Sequence, residues 1–414
     1  MRRVVVTGLG AITPLGNDVG SFFAALVAGR SGIRRLDGPW PDSTSPRIAA
    51  PVEDNLDRHF SRLELVSLDR AAQLSLLAAR QAVAQTGIDF AGERAERTGI
   101  YWGTGMGGAT TVEAAYVDLL VKRAPRLKPA TIVRVMNNAA AGQIGIEFGI
   151  RGPSYTFSSA CSSSAVAIGE AFRAIRSGLV DVAIAGGADA LLTQGVIRAW
   201  ESLQTLARVD VERPETSCRP FAVDRSGFVL GEGAAVLVLE SEQSAQARKV
   251  EILAEIAGYG NTTDGLNIIQ PDVSGQARAM AQALADAGVS PAQVDHVNAH
   301  GTGTRTGDLT ETNAIKLVFG AHAQRLPISA TKALHGHLMG AAGAAEAIAA
   351  IEALRTRIAP STAHLFLPDP ECDLDYVSSG ARELPRLDVV MSNSFGFGGS
   401  NAVIVAKRYQ IAEG

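Results

Sequence analysis

The sequence predicts an α/β protein in which one strand-and-helix pattern runs through the chain twice. Three observations predict it. Short apolar runs rich in valine and isoleucine, often ending in glycine, alternate with longer stretches of helical periodicity. The alternation begins at Val4-Val5-Val6 and starts again near residue 251. Each half also carries a strand, a Gly/Ser/Asn turn and an apolar segment in the same succession, at residues 157–165 and 391–403. Parallel or mixed sheets covered by helices are therefore expected, with residues 1–250 as the first unit and 251–414 as the second.

Taken in order, residues 3–7 read as a strand and 8–16 as a turn-rich loop. Arg2-Arg3 before an apolar run imitates a signal peptide, but Gly8, Gly10, Pro14 and Gly16 break the run and favour a buried strand. Residues 21–28 form a helix capped by Asn17 or Asp18, and 33–58 an irregular surface excursion. A long helix over 69–86 stops at Gly87. Strand 98–102 leads into Gly103-Thr104-Gly105-Met106-Gly107-Gly108, followed by a helix over 111–121. Residues 132–147 read as one helix whose small face, Ala139-Ala140-Ala141-Gly142, suits close packing between subunits. Residues 154–157 end a buried strand. Further strands are expected at 182–187, 234–240, 251–259, 296–299, 389–392 and 402–406, and helices at 191–206, 276–287, 311–319 and 343–355.

Composition narrows the function classes. Hydrophobic residues are 46% of the 414 and charged residues 19%, as in a soluble globular protein. The 38 basic and 42 acidic residues leave a net charge of −4, which gives no reason to expect nucleic acid or an anionic membrane as partner. No apolar stretch reaches the ~18–20 residues of a membrane helix. The three cysteines are too few for a disulfide framework, so a reducing, cytoplasmic setting is expected.

Chemistry-bearing residues cluster in four motifs. In Thr156-Phe157-Ser158-Ser159-Ala160-Cys161, followed by three serines and helical periodicity over 165–175, Cys161 falls at a strand-to-helix turn. Unpaired N–H groups and the positive end of a helix dipole there favour thiolate, the nucleophilic form. In Asn298-Ala299-His300-Gly301-Thr302-Gly303-Thr304, His300 follows a strand, where it either projects into a cleft or bonds nearby backbone. In Ser329-Ala330-Thr331-Lys332-Ala333-Leu334-His335-Gly336-His337, His337 precedes a small-residue helix start and His335 competes with it. Two histidines this close suggest a metal, but no further ligand stands at zinc-like spacing. Lys332, if buried, needs a partner, and Glu346 is the nearest candidate downstream. Asn393-Ser394-Phe395-Gly396-Phe397-Gly398-Gly399-Ser400-Asn401 makes an apolar, glycine-rich flap suited to an oxyanion donor and a tunnel gate. The Gly103–Gly108 run matches part of a dinucleotide fingerprint, without the acidic residue that pattern requires.

Together these motifs resemble the β-ketoacyl-acyl carrier protein synthases of the elongating (KAS II) type, in the thiolase superfamily. The resemblance runs from Val4 to Asn401, with four motifs in the family's order. It implies a duplicated thiolase-like αβαβα five-layer fold, normally a homodimer. It implies that Cys161 accepts the acyl group and that His300 and His337 complete a triad. Lys332, paired with Glu346, would support the second histidine. Phe397 would gate the site beside Phe395 and share an oxyanion hole with Cys161. Met106 would line the acyl pocket, and Thr302, Thr304 and Asn393 would contact substrate. The implied reaction is a decarboxylative condensation of malonyl-acyl carrier protein with the acyl group on Cys161, needing no metal or organic cofactor.

The chain departs from the family in places. A basic carrier-docking cluster is reduced to Arg62 beside Leu63, Val66 and Ser67, leaving Arg126, Lys128 and Arg208 as substitutes. Asn267-Ile268-Ile269 stands where the family often has His-x-Thr, and Ala222 replaces an aspartate. These departures point to a dedicated secondary pathway. A CoA-dependent thiolase would carry a second cysteine in the last glycine motif, and a silent partner subunit would lack Cys161.

Overall fold

The computed structural model describes residues 1–36 and 47–411. Ten strands form its main sheet: β1 (Val4–Ile12), β2 (Thr98–Gly103), β3 (Ser154–Phe157), β4 (Val182–Asp189), β5 (Gly233–Ser241), β6 (Ala254–Thr263), β7 (His296–Asn298), β8 (Ile328–Ser329), β9 (Val389–Gly396) and β10 (Ser400–Lys407). Their order is β8-β7-β9-β10-β6-β1-β5-β4-β2-β3. Counted from the outer edge inward, each half runs third, second, fourth, fifth, first strand of its own sequence. Each pairs its inner three strands antiparallel and its outer three parallel. The halves meet at β1 and β6, which share only the register Val4–Val6 against Ala254–Ile256.

Six helices complete five layers. Outside the first half lie α1 (Arg70–Thr86) and α2 (Ala139–Phe148); outside the second lie α4 (Val273–Ala287) and α5 (Arg305–Phe319). Between the half-sheets lie α3 (Ser163–Arg176) and α6 (Ala342–Thr356). A helix between two sheets has no polar face to spare, and every residue of α6 from Ala342 to Leu354 is buried. Its alanines let both sheets approach. Asp69 caps α1 by accepting from Ala71 N, and Gly87 ends it in the left-handed region. Asp18, rather than Asn17, caps the helix Val19–Val27.

Three expectations need correction. The first strand does not stop at residue 7: β1 runs to Ile12 through Gly8 and Gly10. Those glycines are places of close approach, because a Cβ would meet Ala82 O at 2.2 Å and Ala78 O at 1.9 Å on α1. Residues 132–147 are not one helix but Thr131–Val135 and α2, separated at an extended Met136. The Gly107-Gly108 turn packs against Arg134 O and Asn137 there, a contact invisible to local periodicity. Residues 154–157 do not end a buried strand. β3 is the edge of the sheet, and Tyr155 is 50% exposed. Of the surface excursion over 33–58, residues 37–46 lie outside the described residues; its flanks pair as a ribbon, Arg34–Arg35 with Ile48–Ala49.

Candidate active site

Both half-sheets aim strand ends at one cavity of about 920 Å³, lined by Cys161, His300, His337, Phe395 and Phe397. Cys161 lies on the one-turn 3₁₀ segment Ala160–Ser162 that leads β3 into α3. Ala160 takes a positive φ of 51°, which turns the chain sharply. The surrounding serines satisfy the turn's backbone: Ser163 Oγ accepts from Ser159 N and donates to Ala160 O, while Ser164 Oγ accepts from Ala344 N on α6.

Ligand-capable atoms of Cys161, His300 and His337 all lie within 4.8 Å of one another. The imidazoles meet edge to face, with centroids 5.5 Å apart. Their hydrogen bonds decide what the rings present. The Met339 amide donates to His337 Nδ1 at 3.1 Å. Nδ1 is thus an acceptor, and the neutral ring must carry its proton on Nε2. That Nε2 is buried without a partner. On His300, Nδ1 faces Lys332 Nζ at 3.1 Å, and the ammonium donates also to His300 O at 2.6 Å. Again the proton falls on Nε2. Both rings therefore offer donors. The spacing alone would admit a soft metal, but proton-bearing nitrogens are not ligands. Burial, reinforced by the Lys332 charge, holds both histidines well below their usual pKa, so they remain neutral.

Lys332 is fully buried and pairs with the fully buried Glu346. Burial pushes Glu346 up to about 7, against the opposing pull of Lys332. The expectation that Lys332 supports the second histidine is corrected: it holds His300, the first, whereas His337 is set by Met339 N and by its own amide donating to Val229 O at 2.6 Å. His335 is no competitor. It points to Thr331 Oγ1 at 3.0 Å, outside the cavity.

Burial works against the thiolate expectation. Burial drives the Cys161 thiol up to about 11, and Lys332 and the Phe397 amide, which donates to the sulfur, only partly offset it. Desolvation of a charge outweighs one turn of helix dipole here. Burial thus favours the neutral thiol over the thiolate at Cys161.

Thr302 and Thr304 line the cavity, with hydroxyls 2.9 Å apart, and Thr304 also caps α5 by accepting from Gly307 N. Asn393 and Met106 are placed otherwise than expected. Asn393 is fully buried behind the cavity, and its Nδ2 donates to Glu311 Oε1 at 3.0 Å. Met106 is 50% exposed and outside the cavity lining. Sequence reasoning missed Glu311 and Asp308. Glu311 accepts from His300 N and Gly301 N at 2.9 Å each, and Asp308 from Gly303 N at 3.0 Å and Phe221 N at 2.7 Å. Two acids three residues apart in the helix after a Gly/Thr loop are the signal that could have found them. Asp189 was missed too: it ties Gly105 N and Thr104 Oγ1 to Gly340 N, joining the β2 loop to the turn after His337.

Comparison with known proteins gives the family. Residues 1–245 match the family model for the β-ketoacyl synthase N-terminal domain, and 253–366 that for the C-terminal domain. The chain belongs to the β-ketoacyl synthase family and is an acyl-transferring condensing enzyme that elongates chains in fatty acid or polyketide pathways. Among its relatives are 3-oxoacyl-[acyl-carrier-protein] synthase 2 of Staphylococcus aureus (strain N315), 41% identical over 99% of both chains, and nodulation protein E of Rhizobium meliloti (strain 1021), 44% identical over 98% of this chain and 99% of that one. The solved ishigamide ketosynthase/chain length factor superposes with a TM-score of 0.91 at 34% identity, covering 99% of this chain and 100% of that one.

Proposed function

We propose that Cys161 carries the growing acyl group and that His300 and His337 act on a malonyl thioester. In the first half-reaction the Cys161 sulfur bonds the acyl carbon, the carrier's thioester bond breaks, and the thiol proton goes to the departing carrier sulfur. In the second, the malonyl carbon–carboxylate bond breaks and carbon dioxide leaves. The electron pair becomes an enolate whose oxygen accepts from Nε2–H of both histidines. The enolate carbon attacks the acyl-Cys161 carbonyl, whose oxyanion the Phe397 amide stabilises; collapse breaks the carbon–sulfur bond, and the expelled Cys161 thiolate takes a proton from water to return to the thiol. One such donor is worth roughly 3 kcal/mol in acyl-transfer enzymes. The single observation that supports this most is the pair of buried Nδ1 acceptors, which commits both rings to donating.

An acyl carrier protein is the partner this reading requires, and Arg208 and Arg305 at the cavity offer cations to an acidic one. The exposed edge β3, with apolar Tyr116, Leu120, Val121, Ile132 and Ile146 also exposed, supports a homodimer through this face. No helix among the described residues is long and apolar enough to cross a membrane, and the three cysteines are unpaired, which supports a reducing, cytoplasmic setting. The test is to incubate the protein with acyl-carrier and malonyl-carrier proteins and measure β-ketoacyl product. A protein that elongates only after a second subunit is added would refute an autonomous enzyme.

A further inference from the structure

Four aromatic rings form a row along the cavity. Phe397 stacks on Trp200, with centroids 5.8 Å apart and planes 29° apart. Trp200 meets Phe228 edge to face at 5.4 Å, and Phe228 meets His337 edge to face at 5.3 Å. Trp200, Phe228, Phe397 and Cys161 line the same cavity.

The two partners in the stack are held by different parts of the fold. Trp200 rides on the helix Gln194–Ser202. That helix is pinned at its start, where Glu113 accepts from Gln194 N at 2.9 Å and from Gly195 N at 2.5 Å. It is pinned at its end by Arg47, which donates to Glu201 Oε1 at 2.6 Å. Phe397 instead stands between Gly396 and the pair Gly398 (φ 82°) and Gly399 (φ 72°). Nothing lies within 4 Å of the place where a Gly398 Cβ would be. Gly398 N donates to Ile268 O at 2.7 Å and Gly399 O accepts from Asp264 N at 2.9 Å, so the room for Phe397 to move lies on the open side of Gly398, and the tryptophan is the fixed face its ring rests on. Phe397 also carries the amide that donates to the Cys161 sulfur. Whatever seats its ring therefore seats that donor.

We infer that Trp200 is a positioning residue for acyl transfer. Its indole face holds the Phe397 ring closed and the Phe397 amide on Cys161. The entering acyl chain breaks the stack, and it re-forms once the acyl group is seated. The inference rests on the proposed role of Cys161 and assigns Trp200 no contact with the reacting atoms.

Indole fluorescence reports the stack directly. The full-length protein has three tryptophans, of which Trp102 is fully buried in β2. Mixed rapidly with octanoyl-acyl carrier protein, the wild type should show a transient fluorescence change during acylation of Cys161, as timed by quenched-flow mass spectrometry. Trp200→Phe should abolish that signal yet keep acylation within about threefold, because a phenyl ring still stacks. Trp200→Leu should lower kcat/KM for acylation by about tenfold, mainly through kcat. Melting temperatures establish that the variants are folded, and the wild-type fluorescence arm needs no variant. A wild type that acylates with no fluorescence transient, or a folded Trp200→Leu that acylates at the wild-type rate, would overturn the inference and leave the functional reading standing. A wild type that yields no acyl-Cys161 peptide at all would overturn both.

Discussion

The Met339 amide donates to His337 Nδ1 at 3.1 Å, and this contact dictates which end of the ring can act on substrate. A backbone amide cannot exchange roles, so His337 faces the cavity as an N–H donor while it stays neutral. Replacing it with alanine removes one enolate donor. Malonyl decarboxylation should fall by about 10²–10³-fold, while acyl transfer to Cys161 falls far less. His300→Ala should behave alike. Equal losses in both half-reactions, measured by carbon dioxide release and by acyl-peptide mass, would contradict the division of labour.

Lys332 and Glu346 are both fully buried, and their pairing gives a stability prediction with a definite pH sign. Lys332→Met strands a carboxyl in a dry interior, at a cost of about 3 kcal/mol or more when it ionises. Burial already raises the Glu346 pKa to about 7, above its unfolded value, and loss of the ammonium raises it further. The unfolded chain then releases its proton first, so the variant should lose stability as pH rises from about 5 to 8. Adding Glu346→Leu should restore denaturant stability without restoring decarboxylation. If the double variant is no more stable than the single one, the pair is not what holds this region.

The buried thiol makes a kinetic prediction. With Cys161 raised to about 11, its alkylation by iodoacetamide should climb about tenfold per pH unit from pH 7 towards 10. A rate that has levelled off by pH 7 would mean that the resting site holds a thiolate after all.

The meeting of α3 and α6 tests the middle layer. A Cβ on Gly343 would lie 2.8 Å from both the Cβ and the backbone N of Ala165. Gly343→Val should therefore destabilise the protein by about 1–3 kcal/mol, as overpacking does, and displace the Cys161 turn at the head of α3. Wild-type stability and acylation in that variant would show that the two central helices are not in contact.

Much of this was legible before any coordinates. Glycine-terminated strands, alternating helices and the four motifs carry the duplicated fold, because each is a local pattern. What was illegible depends on distant contacts. Gly8 and Gly10 read as a loop because glycine usually breaks strands; only the carbonyls of Ala82 and Ala78 explain them. The break at Met136 follows from the Gly107-Gly108 turn packing beside it. At the site, Cys161, His300, His337 and Phe397, picked out by their motifs, line one cavity, whereas Asn393 lies behind it, because an asparagine in a glycine-rich motif reads as a ligand contact rather than as a prop for Glu311. The histidine that Lys332 supports is also a tertiary fact, set by how β7 lies against the segment after β8.

The most direct test is to mix the purified protein with octanoyl- and malonyl-acyl carrier proteins and follow the Cys161 peptide by mass spectrometry alongside product. An octanoyl adduct on Cys161 should form first and decay as the β-ketoacyl product rises. Cys161→Ala should form neither adduct nor product, and Cys161→Gln should still release carbon dioxide from malonyl-carrier protein without elongation. Product formed by Cys161→Ala, or an adduct on any other residue in the wild type, would contradict the account.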